Sequence, residues 1–554
     1  MRFLPSLLLV LLFWSAIYLP GLGDAELKGE EGRRILPARE MLRRGDYLLP
    51  YSEGRPYHRK PPGINWAIAA SFTLTGSQSE WSARLPSVLA VLALAVTGLW
   101  AGRRLLGPEW GLALGLACLA NLGMIEKGRL AEIEALYVSL AGMGLFLWAA
   151  WWVEGKSSWL VWLPAAVPFA LANLVKGPVF MAFVCPVMVL TLWRAKRLRE
   201  LLHPAAWLSL AAALGPMIAW GMMIQGHMAE LSSGLVLDDD DAPVADRTAQ
   251  EVWWQQIAGR LSYASIDWGD WLALPFRSAL LFAPWLVLAL VLWVRLRKAQ
   301  SAATPERMDA LFRGLGLGSL LSAALFCLLP ATRSRYLFPL LASVTLWSVM
   351  VVRRATQTPE SAARVWRIWR WIVAFLGTVA AGAGLALPWI LHGGNPWCFF
   401  LTNLAVAAAL LAWLGLAWRG RLPAPIFTST AGVAAAVALV AATTVLPWSR
   451  SVDNIRPLAA TLTAHATKPG IIVAINPGPQ PFLYYLGTRC VEAAKITDFP
   501  EEVDYILIRP RDWADADWRD RLEWRGFRRI VTTVKDARSS PQREYLLIDR
   551  PDDP

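Results

Sequence analysis

The sequence predicts a polytopic α-helical membrane protein with a small α/β domain at its carboxyl-terminal end. Of its 554 residues, 56% are hydrophobic and only 17% are charged, whereas about a quarter of the residues of soluble domains are charged. The mean hydropathy of +0.39 agrees with this class. The chain also contains many apolar runs of the length that a helix needs to cross a bilayer, about 18 residues or more.

About thirteen segments meet that length criterion. The predicted spans are 3–21, 82–102, 108–124, 134–153, 158–175, 177–194, 204–225, 276–296, 313–330, 335–352, 369–391, 397–418 and 424–447. Residues 1–24 also suggest a secretory signal peptide. The long apolar stretch and the lack of a clean cleavage motif disfavour this alternative, which would leave the following loop outside in either case.

Basic loops predict the orientation of these spans, because cytoplasmic loops carry an excess of Lys and Arg. With the amino terminus inside, the strongly basic short loops all fall on the inner side. They contain Arg103, Arg104, Arg194, Lys196, Arg197, Arg199, Arg295, Arg297, Lys298, Arg353, Arg354, Arg364, Arg367, Arg370, Arg419 and Arg421. The acidic segment 236–246 and the tail then lie outside. The net charge of +12 therefore reflects topology, and no nucleic-acid partner is predicted.

Two parts of the chain interrupt the apolar pattern. A long outer loop, 22–81, contains a short apolar stretch that predicts an interfacial helix, since it is too short to cross. The tail, 452–554, alternates short β-type runs (GIIVAI, DYILIRP, RRIVTTV, EYLLIDR) with the helical segment ADWRDRLEWRG, which ends in a glycine cap. We therefore expect a transmembrane domain over 1–451, which includes the long outer loop 22–81, and an extracytoplasmic α/β domain over 452–554.

Ionisable residues are essentially missing from the middles of the predicted spans and cluster at their outer ends. Ion-coupled transporters keep such groups at mid-membrane, so that class is disfavoured. Carboxylates act as general bases or stabilise positive charge, and Lys and Arg bind phosphate. The pattern therefore favours a lipid-phosphate substrate at the outer surface, although adjacent Glu and Arg in one loop are also typical of a solvated, self-paired segment.

Motifs occur along the outer loops in a fixed order. They are the acidic pair Glu30–Glu31, REML (39–42), GDYLLP (45–50), KPPGINW (60–66), RLPS (84–87), EIEALYVSL (132–140), KGP (176–178) and RYLFPLL (335–341). As a set they resemble the polyprenyl-phosphate-sugar-dependent membrane glycosyltransferases. This superfamily contains the protein O-mannosyltransferases and, as a bacterial branch, the aminoarabinose lipid A transferases. The resemblance covers nearly the whole chain and implies a fold of the GT-C type.

The resemblance implies a transferase that takes a sugar from a polyprenyl-phosphate donor, most often undecaprenyl phosphate, and inverts its anomeric centre. Transfer would occur on the outer, periplasmic side of the bacterial cytoplasmic (inner) membrane, among membrane lipids. The acceptor would be a lipid A-like glycolipid, another cell-envelope glycan or a protein hydroxyl. Two alternatives stay open: a flippase or carrier of lipid-linked sugars, and a non-catalytic subunit of envelope assembly.

The same resemblance implies that 22–81 is the catalytic outer loop, and it implies which carboxylates are catalytic. Alignment to REML places Glu30 where relatives carry the essential acidic residue, with Glu31 next to it. Most members have Asp at the first position, so the longer Glu moves the carboxylate by about one methylene. Glu134 matches the acidic residue of the second outer loop better than Glu132 does, because IEAL fits the family pattern. Glu30 is expected to act as base or orienting carboxylate, supported by Glu134.

Five residues are expected to contact the donor phosphate: Lys60, Arg333, Arg335, Tyr336 and Arg33. Lys60 is the first, because the two prolines after it fix the backbone, although simple contact with lipid headgroups is the alternative. Arg333 and Arg335 are expected to bind the departing polyprenyl phosphate, with Tyr336 packed beside it. Simple anchoring of a helix end is the alternative for the two arginines.

Further predictions concern Arg33, Lys176 and metals. Arg33 is expected to pair with Glu30 and to contribute to the phosphate site, and Lys176 is either structural or functional. Arg59 stands where some relatives carry an acidic residue, His58 reads as a loop residue, and the five cysteines show no metal or disulfide spacing. No metal site is predicted, and a divalent metal stays open without a clear ligand set.

Overall fold

The computed structural model describes most of the chain. The described residues are 2–52, 55–57, 60–233, 268–296, 305–329, 332–391, 396–452, 455–478, 480–493, 496, 499–500, 502–536 and 543–551. The predicted acidic loop 236–246, His58 and Arg59 lie outside them. The chain forms two compact units. The helical unit contains Met1–Asp24, Arg59–Ile64 and Arg84–Trp448, and the mixed unit contains Ala25–His58, Asn65–Ala83 and Ser449–Pro554.

The helical unit consists of apolar helices joined by short connections. Its α-helices are Phe3–Tyr18, Glu80–Leu106, Pro108–Leu119, Leu122–Lys127, Ile133–Val153, Ser158–Lys176, Met181–Arg194, Pro204–Ser233, Trp268–Leu280, Trp285–Leu296, Glu306–Leu328, Leu341–Ala355, Pro359–Leu391, Trp397–Trp418, Pro425–Val440 and, at its end, Leu446–Val452. Short 3₁₀ turns Pro178–Phe180, Leu198–Leu202 and Ser334–Leu340 and a π turn, Ala441–Val445, connect or extend them.

These helices confirm a polytopic membrane protein. Nine helices of the described part are long and apolar enough to cross a bilayer, and a bent pair adds a tenth if it counts as one span. The shorter apolar helices Phe3–Tyr18, Pro108–Leu119 and Pro178–Arg194 cover the three predicted spans that remain. The number thirteen itself stays a prediction, because a helix of 12 residues is only about 18 Å long against a hydrocarbon core of about 30 Å.

The predicted span 276–296 is not one straight helix. Trp268–Leu280 and Trp285–Val294 meet at an angle of 92°. Pro284 in the break has no N–H to donate, and the carbonyls of Leu281 and Ala283 accept hydrogen bonds of 2.9 Å from the N–H groups of Gly123 and Leu122. Backbone groups freed by a break at membrane depth must find such partners, because lipid offers none.

Close packing between helices in this unit depends on small residues. Glu306–Leu328 lies against Met181–Arg194, and a Cβ atom added at Gly318 would be 2.6 Å from the Cα atom of Val187. Small residues allow this approach in membranes, where helices associate through packing and hydrogen bonds because lipid is as apolar as the side chains.

The mixed unit combines helices from the first loop with a five-stranded sheet from the tail. Its helices are Gly32–Arg44, most of Gly63–Thr75, Arg456–His465, Phe482–Tyr485, Pro510–Trp513 and Ala516–Trp524, with 3₁₀ turns Gly29–Glu31 and Gly487–Arg489. The hairpin β1 (Tyr51–Ser52) and β2 (Arg55–Pro56) also belongs here. The helix predicted within the loop is present and has 13 residues.

The tail forms the sheet β4-β3-β5-β7-β6. Its strands are β3 (Ile471–Ile475), β4 (Cys490–Ala493), β5 (Val503–Ile508), β6 (Arg529–Asp536) and β7 (Arg543–Asp549). Strand β3 is parallel to β4 and β5, and β7 is antiparallel to β5 and β6. The predicted α/β class is confirmed with four of the strands and the helix Ala516–Trp524, whereas β4 was missed because CVEA is short and lacks alternation.

Candidate functional site

Glu134 and Lys176 form an ion pair in the helical unit. Glu134 lies in the first turn of Ile133–Val153 and Lys176 is the last residue of Ser158–Lys176. The distance from Nζ of Lys176 to Oε1 of Glu134 is 3.3 Å, and the side chains are 14% and 9% exposed. A carboxylate at a helix amino terminus and an ammonium at a carboxyl terminus both complement the helix dipoles. The pair therefore presents one oriented cation in a largely desolvated place.

Tyr137, which the sequence analysis missed, holds the turn that follows Lys176. Its buried hydroxyl donates to the carbonyl of Gly177 at 3.2 Å and accepts from the N–H of Phe180 at 2.5 Å. The Tyr137 ring also faces the ammonium of Lys176, 5.5 Å from the ring centroid. Its spacing of one helical turn from Glu134 is the signal that could have identified it.

The 3₁₀ turn Ser334–Leu340 brings a second cation and an aromatic ring to this pair. Tyr336 lies 5.8 Å from the Lys176 ammonium, measured to the ring centroid, and the guanidinium of Arg335 lies 5.9 Å from the same centroid. Arg335 adds positive charge near the Glu134 carboxylate. Arg333, exposed at the start of the turn, accepts a hydrogen bond from the N–H of Tyr336 through its carbonyl. The structure thus brings Glu134, Lys176, Arg335 and Tyr336 together.

Lys60 belongs to a bend that packs on the end of the same helix. Pro61 and Pro62 are buried after it, and Gly63 lies so close to Ser158–Lys176 that an added Cβ atom would be 2.6 Å from the carbonyl oxygen of Leu174. The KPPG segment therefore contacts the helix at Leu174, two residues before Lys176. The glycine after the two prolines was the signal in the sequence for this contact.

Glu132 has a different partner from Glu134. Its carboxylate lies 3.2 Å from the ammonium of Lys127, which also lies 3.4 Å from Glu126. Burial alone would lower the pKa of Lys127, and the two carboxylates outweigh it and raise the pKa. Glu132 thus shares the single cation of Lys127 with Glu126, whereas Glu134 faces Lys176 and Arg335, which favours Glu134 over Glu132 as the functional residue.

Glu30 lies in a charged cluster within the mixed unit. It is in the 3₁₀ turn Gly29–Glu31, and its carboxylate is 3.5 Å from Arg33 and 3.6 Å from Arg34. Arg34 is buried and also donates to the hydroxyl of Tyr57 at 3.2 Å. Arg33 contacts Glu30 as expected, and Arg34, which sequence reasoning missed, is the more buried partner four positions on. The Glu30 side chain is 29% exposed and flanked by the two cations.

Glu31 and Glu40 are both buried and make structural contacts. Glu31 accepts the N–H of Lys28 at 2.9 Å and so caps the turn. Glu40 accepts from Arg43 at 2.7 Å and from Arg44 at 3.1 Å. Burial alone would raise the pKa of Glu40, but the hydrogen bonds and charges of the two arginines lower it below the ordinary 4.5. The geometry of Glu31 favours a structural role over the predicted catalytic one.

No metal-binding group is evident in the described part of the chain, where three or more His, Cys, Asp or Glu side chains nowhere come together. The cations described above are the groups suited to an anion. Arg and Lys bind phosphate through charge-assisted hydrogen bonds, which are about twice as strong as neutral ones.

An apolar cavity of about 690 Å³ lies in the helical unit beside Ser334–Leu340. Its walls come from the bent pair, from Glu306–Leu328 and from Leu341–Ala355, and Leu337 and Leu340 also line it. Asp309 and Cys327, eighteen positions apart on one helix, both line the wall. At 1.5 Å per residue this is about 27 Å, close to the thickness of a hydrocarbon core of about 30 Å. The cavity therefore suits a long apolar chain.

Comparison with known proteins gives partial matches in sequence and an extensive match in fold. Residues 59–223 match the family described as dolichyl-phosphate-mannose-protein mannosyltransferase. An uncharacterised protein of Aquifex aeolicus is 29% identical over 167 residues, 30% of this chain and 37% of that protein. An undecaprenyl phosphate-alpha-4-amino-4-deoxy-L-arabinose arabinosyl transferase of Edwardsiella ictaluri is 26% identical over 227 residues, 40% of each chain. The chain thus spans about 40% or less of these relatives.

Two solved structures share the fold over nearly the whole length. ArnT from Cupriavidus metallidurans bound to undecaprenyl phosphate has a TM-score of 0.62 at 17% identity, covering 98% of this chain and 97% of that one. The apo state of the same protein has a TM-score of 0.60 at 15% identity, with the same coverage. The predicted fold class is confirmed by this likeness.

Proposed function

We propose that the chain is a member of the GT-C superfamily that contains the protein O-mannosyltransferases and the ArnT-like transferases, and that it transfers a sugar from a polyprenyl-phosphate donor to an acceptor of the cell envelope. The proposed place is the outer face of a bacterial cytoplasmic membrane. The proposed carrier is undecaprenyl phosphate. ArnT from Cupriavidus metallidurans has been solved with this lipid bound, and the arabinosyl transferase of Edwardsiella ictaluri carries it in its name. A lipid A-like glycolipid or other envelope glycan is the proposed acceptor.

One observation carries this proposal. The turn Ser334–Leu340 contributes Leu337 and Leu340 to the wall of the long apolar cavity and Arg335 to the cation cluster. A polyprenyl phosphate has the same two parts, a long apolar chain and a phosphate at one end. Pockets for lipids and other ligands combine apolar walls with a few placed polar groups in this manner.

In the proposed reaction the acceptor oxygen attacks the anomeric carbon of the donor. The bond from that carbon to the phosphate oxygen breaks, its electron pair stays on the polyprenyl phosphate, and attack opposite the leaving group inverts the centre. Lys60, Arg333 and Arg335 would stabilise the charge that develops on the phosphate. Lys176 would add to them, with Glu134 orienting its ammonium and Tyr336 packed beside the phosphate.

Glu30 is the proposed base for a hydroxyl acceptor. It would take the proton of the attacking hydroxyl, and Arg33 and Arg34 would orient its carboxylate. A phosphate acceptor needs little deprotonation, so Glu30 would then orient the acceptor. The role of Glu30 and the identity of the acceptor are therefore linked.

The test compares wild type with Glu30→Gln in membranes supplied with radiolabelled polyprenyl-phosphate sugars at equal expression. Loss of a general base typically costs about 10²- to 10⁴-fold in rate, so we expect transfer to an extractable product to fall by that range while carrier binding is kept. Glu523→Gln, at an exposed helical position in the tail, is the matched control. Equal transfer by wild type and Glu30→Gln would remove Glu30 from the mechanism, and binding without transfer of any sugar would favour a carrier.

A further inference from the structure

The segment that carries Glu30 is held on both sides by the carboxyl-terminal domain. We propose that this domain is a positioning element for Glu30, and that Glu26, Arg39 and Tyr485 are its positioning residues. This proposal rests on the catalytic role proposed for Glu30. All the contacts involved lie within the mixed unit. They also explain the REML motif, which the reaction itself leaves without a role.

The first contact lies four residues before Glu30. Glu26 is buried, and its carboxylate accepts the backbone N–H of Ile455 at 2.5 Å and that of Arg456 at 3.3 Å. These N–H groups open the helix Arg456–His465 of the tail. A carboxylate here satisfies donors that have no partner inside the helix and complements the helix dipole. The contact thus joins the loop to the tail through a buried, charge-assisted cap.

The second contact lies three residues before Glu30. The hydroxyl of Tyr485 accepts the N–H of Leu27 at 2.9 Å and donates to Oε1 of Glu80 at 3.1 Å. The same oxygen of Glu80 lies 2.6 Å from the guanidinium of Arg456. One tail hydroxyl therefore fixes the loop backbone and is itself oriented by a carboxylate.

The third contact follows Glu30 at the start of REML. Arg39 is 6% exposed, and its Nη1 atom faces the carbonyl oxygens of Leu483, Tyr484 and Gly487 at 3.2 to 3.4 Å. Leu483 and Tyr484 belong to the short helix Phe482–Tyr485, and Gly487 begins the 3₁₀ turn that follows it. The planar guanidinium is held among the three carbonyls in a fixed geometry that a flexible lysine does not reproduce.

The ion pairs of Glu30 with Arg33 and Arg34, at 3.5 and 3.6 Å, are longer than good charge-assisted hydrogen bonds of about 2.7 to 2.9 Å. The flanking contacts at Glu26, Leu27 and Arg39 are shorter, at 2.5 to 3.4 Å. The tail thus fixes the backbone on both sides of Glu30, and with it the position from which the carboxylate extends.

The test uses Tyr485→Phe in the full-length protein, with Tyr545→Phe as the matched control. Tyr545 is buried in the same domain, and its hydroxyl donates a hydrogen bond to the carbonyl of Pro477. The control therefore also removes one hydrogen-bonded tyrosine hydroxyl from the tail domain. We expect Tyr485→Phe to lower kcat about tenfold or more with the donor KM unchanged, because an error of about 1 Å costs about a hundredfold. Amides 27–36 should exchange hydrogen faster in Tyr485→Phe than in Tyr545→Phe.

The two readouts separate this proposal from the proposed function. If wild type transfers no sugar, the proposed function fails and hydrogen exchange alone decides the positioning role. Equal exchange of amides 27–36 in the two variants, or an equal fall of kcat in both, would overturn the proposal. If Tyr485→Phe does not fold, Arg39→Lys replaces it, with the same expected loss of kcat and the same control.

Discussion

The contact at Gly63 allows a test of whether packing of the KPP motif against the helix Ser158–Lys176 determines the position of Lys60. In Gly63→Ala the new Cβ atom would lie 2.6 Å from the oxygen and 2.8 Å from the carbon of the Leu174 carbonyl, and 3.0 Å from the nitrogen of Val175. Ordinary carbon contacts are about 3.5 to 4.0 Å, so relief needs a displacement of about 1 Å. All three atoms are backbone, which cannot swing away as a flexible side chain can.

The expected cost of Gly63→Ala has two parts. Overpacking of this kind lowers the free energy of unfolding by about 1–3 kcal/mol. Moving Lys60 by about 1 Å relative to Lys176 should also weaken phosphate binding, and misplacements of that size cost about a hundredfold in activity. Gly215→Ala is the matched control, because no described atom lies within 4 Å of a Cβ atom there. In the helix Pro204–Ser233 that change should stabilise by up to about 1 kcal/mol.

The assay compares thermal unfolding in detergent with binding of a labelled polyprenyl phosphate for both variants. Gly63→Ala should melt at a lower temperature and bind the carrier more weakly, whereas Gly215→Ala should match or exceed wild type. The reasoning is refuted if Gly63→Ala is as stable as Gly215→Ala and binds the carrier equally well. A loss of stability without a loss of binding would separate the packing contact from the phosphate site.

Two further predictions concern charged pairs. The pKa of Glu40 is lower in the folded protein than its ordinary 4.5. Its contribution to the free energy of unfolding is therefore complete above pH 4.5 and is lost as the pH falls through the folded pKa. The free energy of unfolding of wild type should decrease between pH 6 and pH 3 for this reason, and an equal decrease in Glu40→Gln would contradict the prediction. Glu134→Gln should lower the free energy of unfolding by about 3 kcal/mol, as removal of one partner of a buried pair does. The double variant Glu134→Gln with Lys176→Met should lose less stability than the sum of the two single variants. Additive losses of stability, measured by thermal unfolding in detergent, would contradict the pairing.

The sequence alone was sufficient to predict the helical membrane class, the positions of most helices and the strands of the tail except β4. Hydropathy, helix length and strand alternation are local properties, and each can be detected within a segment of about 20 residues. The order of the outer motifs likewise indicated the resemblance to the superfamily whose family model matches residues 59–223. The predicted span 276–296 corresponds to a bent pair of helices, because Pro284 breaks the helix and the N–H groups of Leu122 and Gly123 donate to carbonyls in the break.

Only the tertiary structure decided which charges meet. Glu132 and Glu134 are two positions apart, yet one contacts Lys127 and the other contacts Lys176. Glu30 and Glu31 are adjacent, yet Glu31 is fully buried and Glu30 is partly exposed. Arg39 faces carbonyls more than 440 positions away in the chain. Such pairs depend on how the helices and the sheet pack. Packing brings residues into contact at no regular spacing in the sequence, so periodic patterns do not predict these pairs.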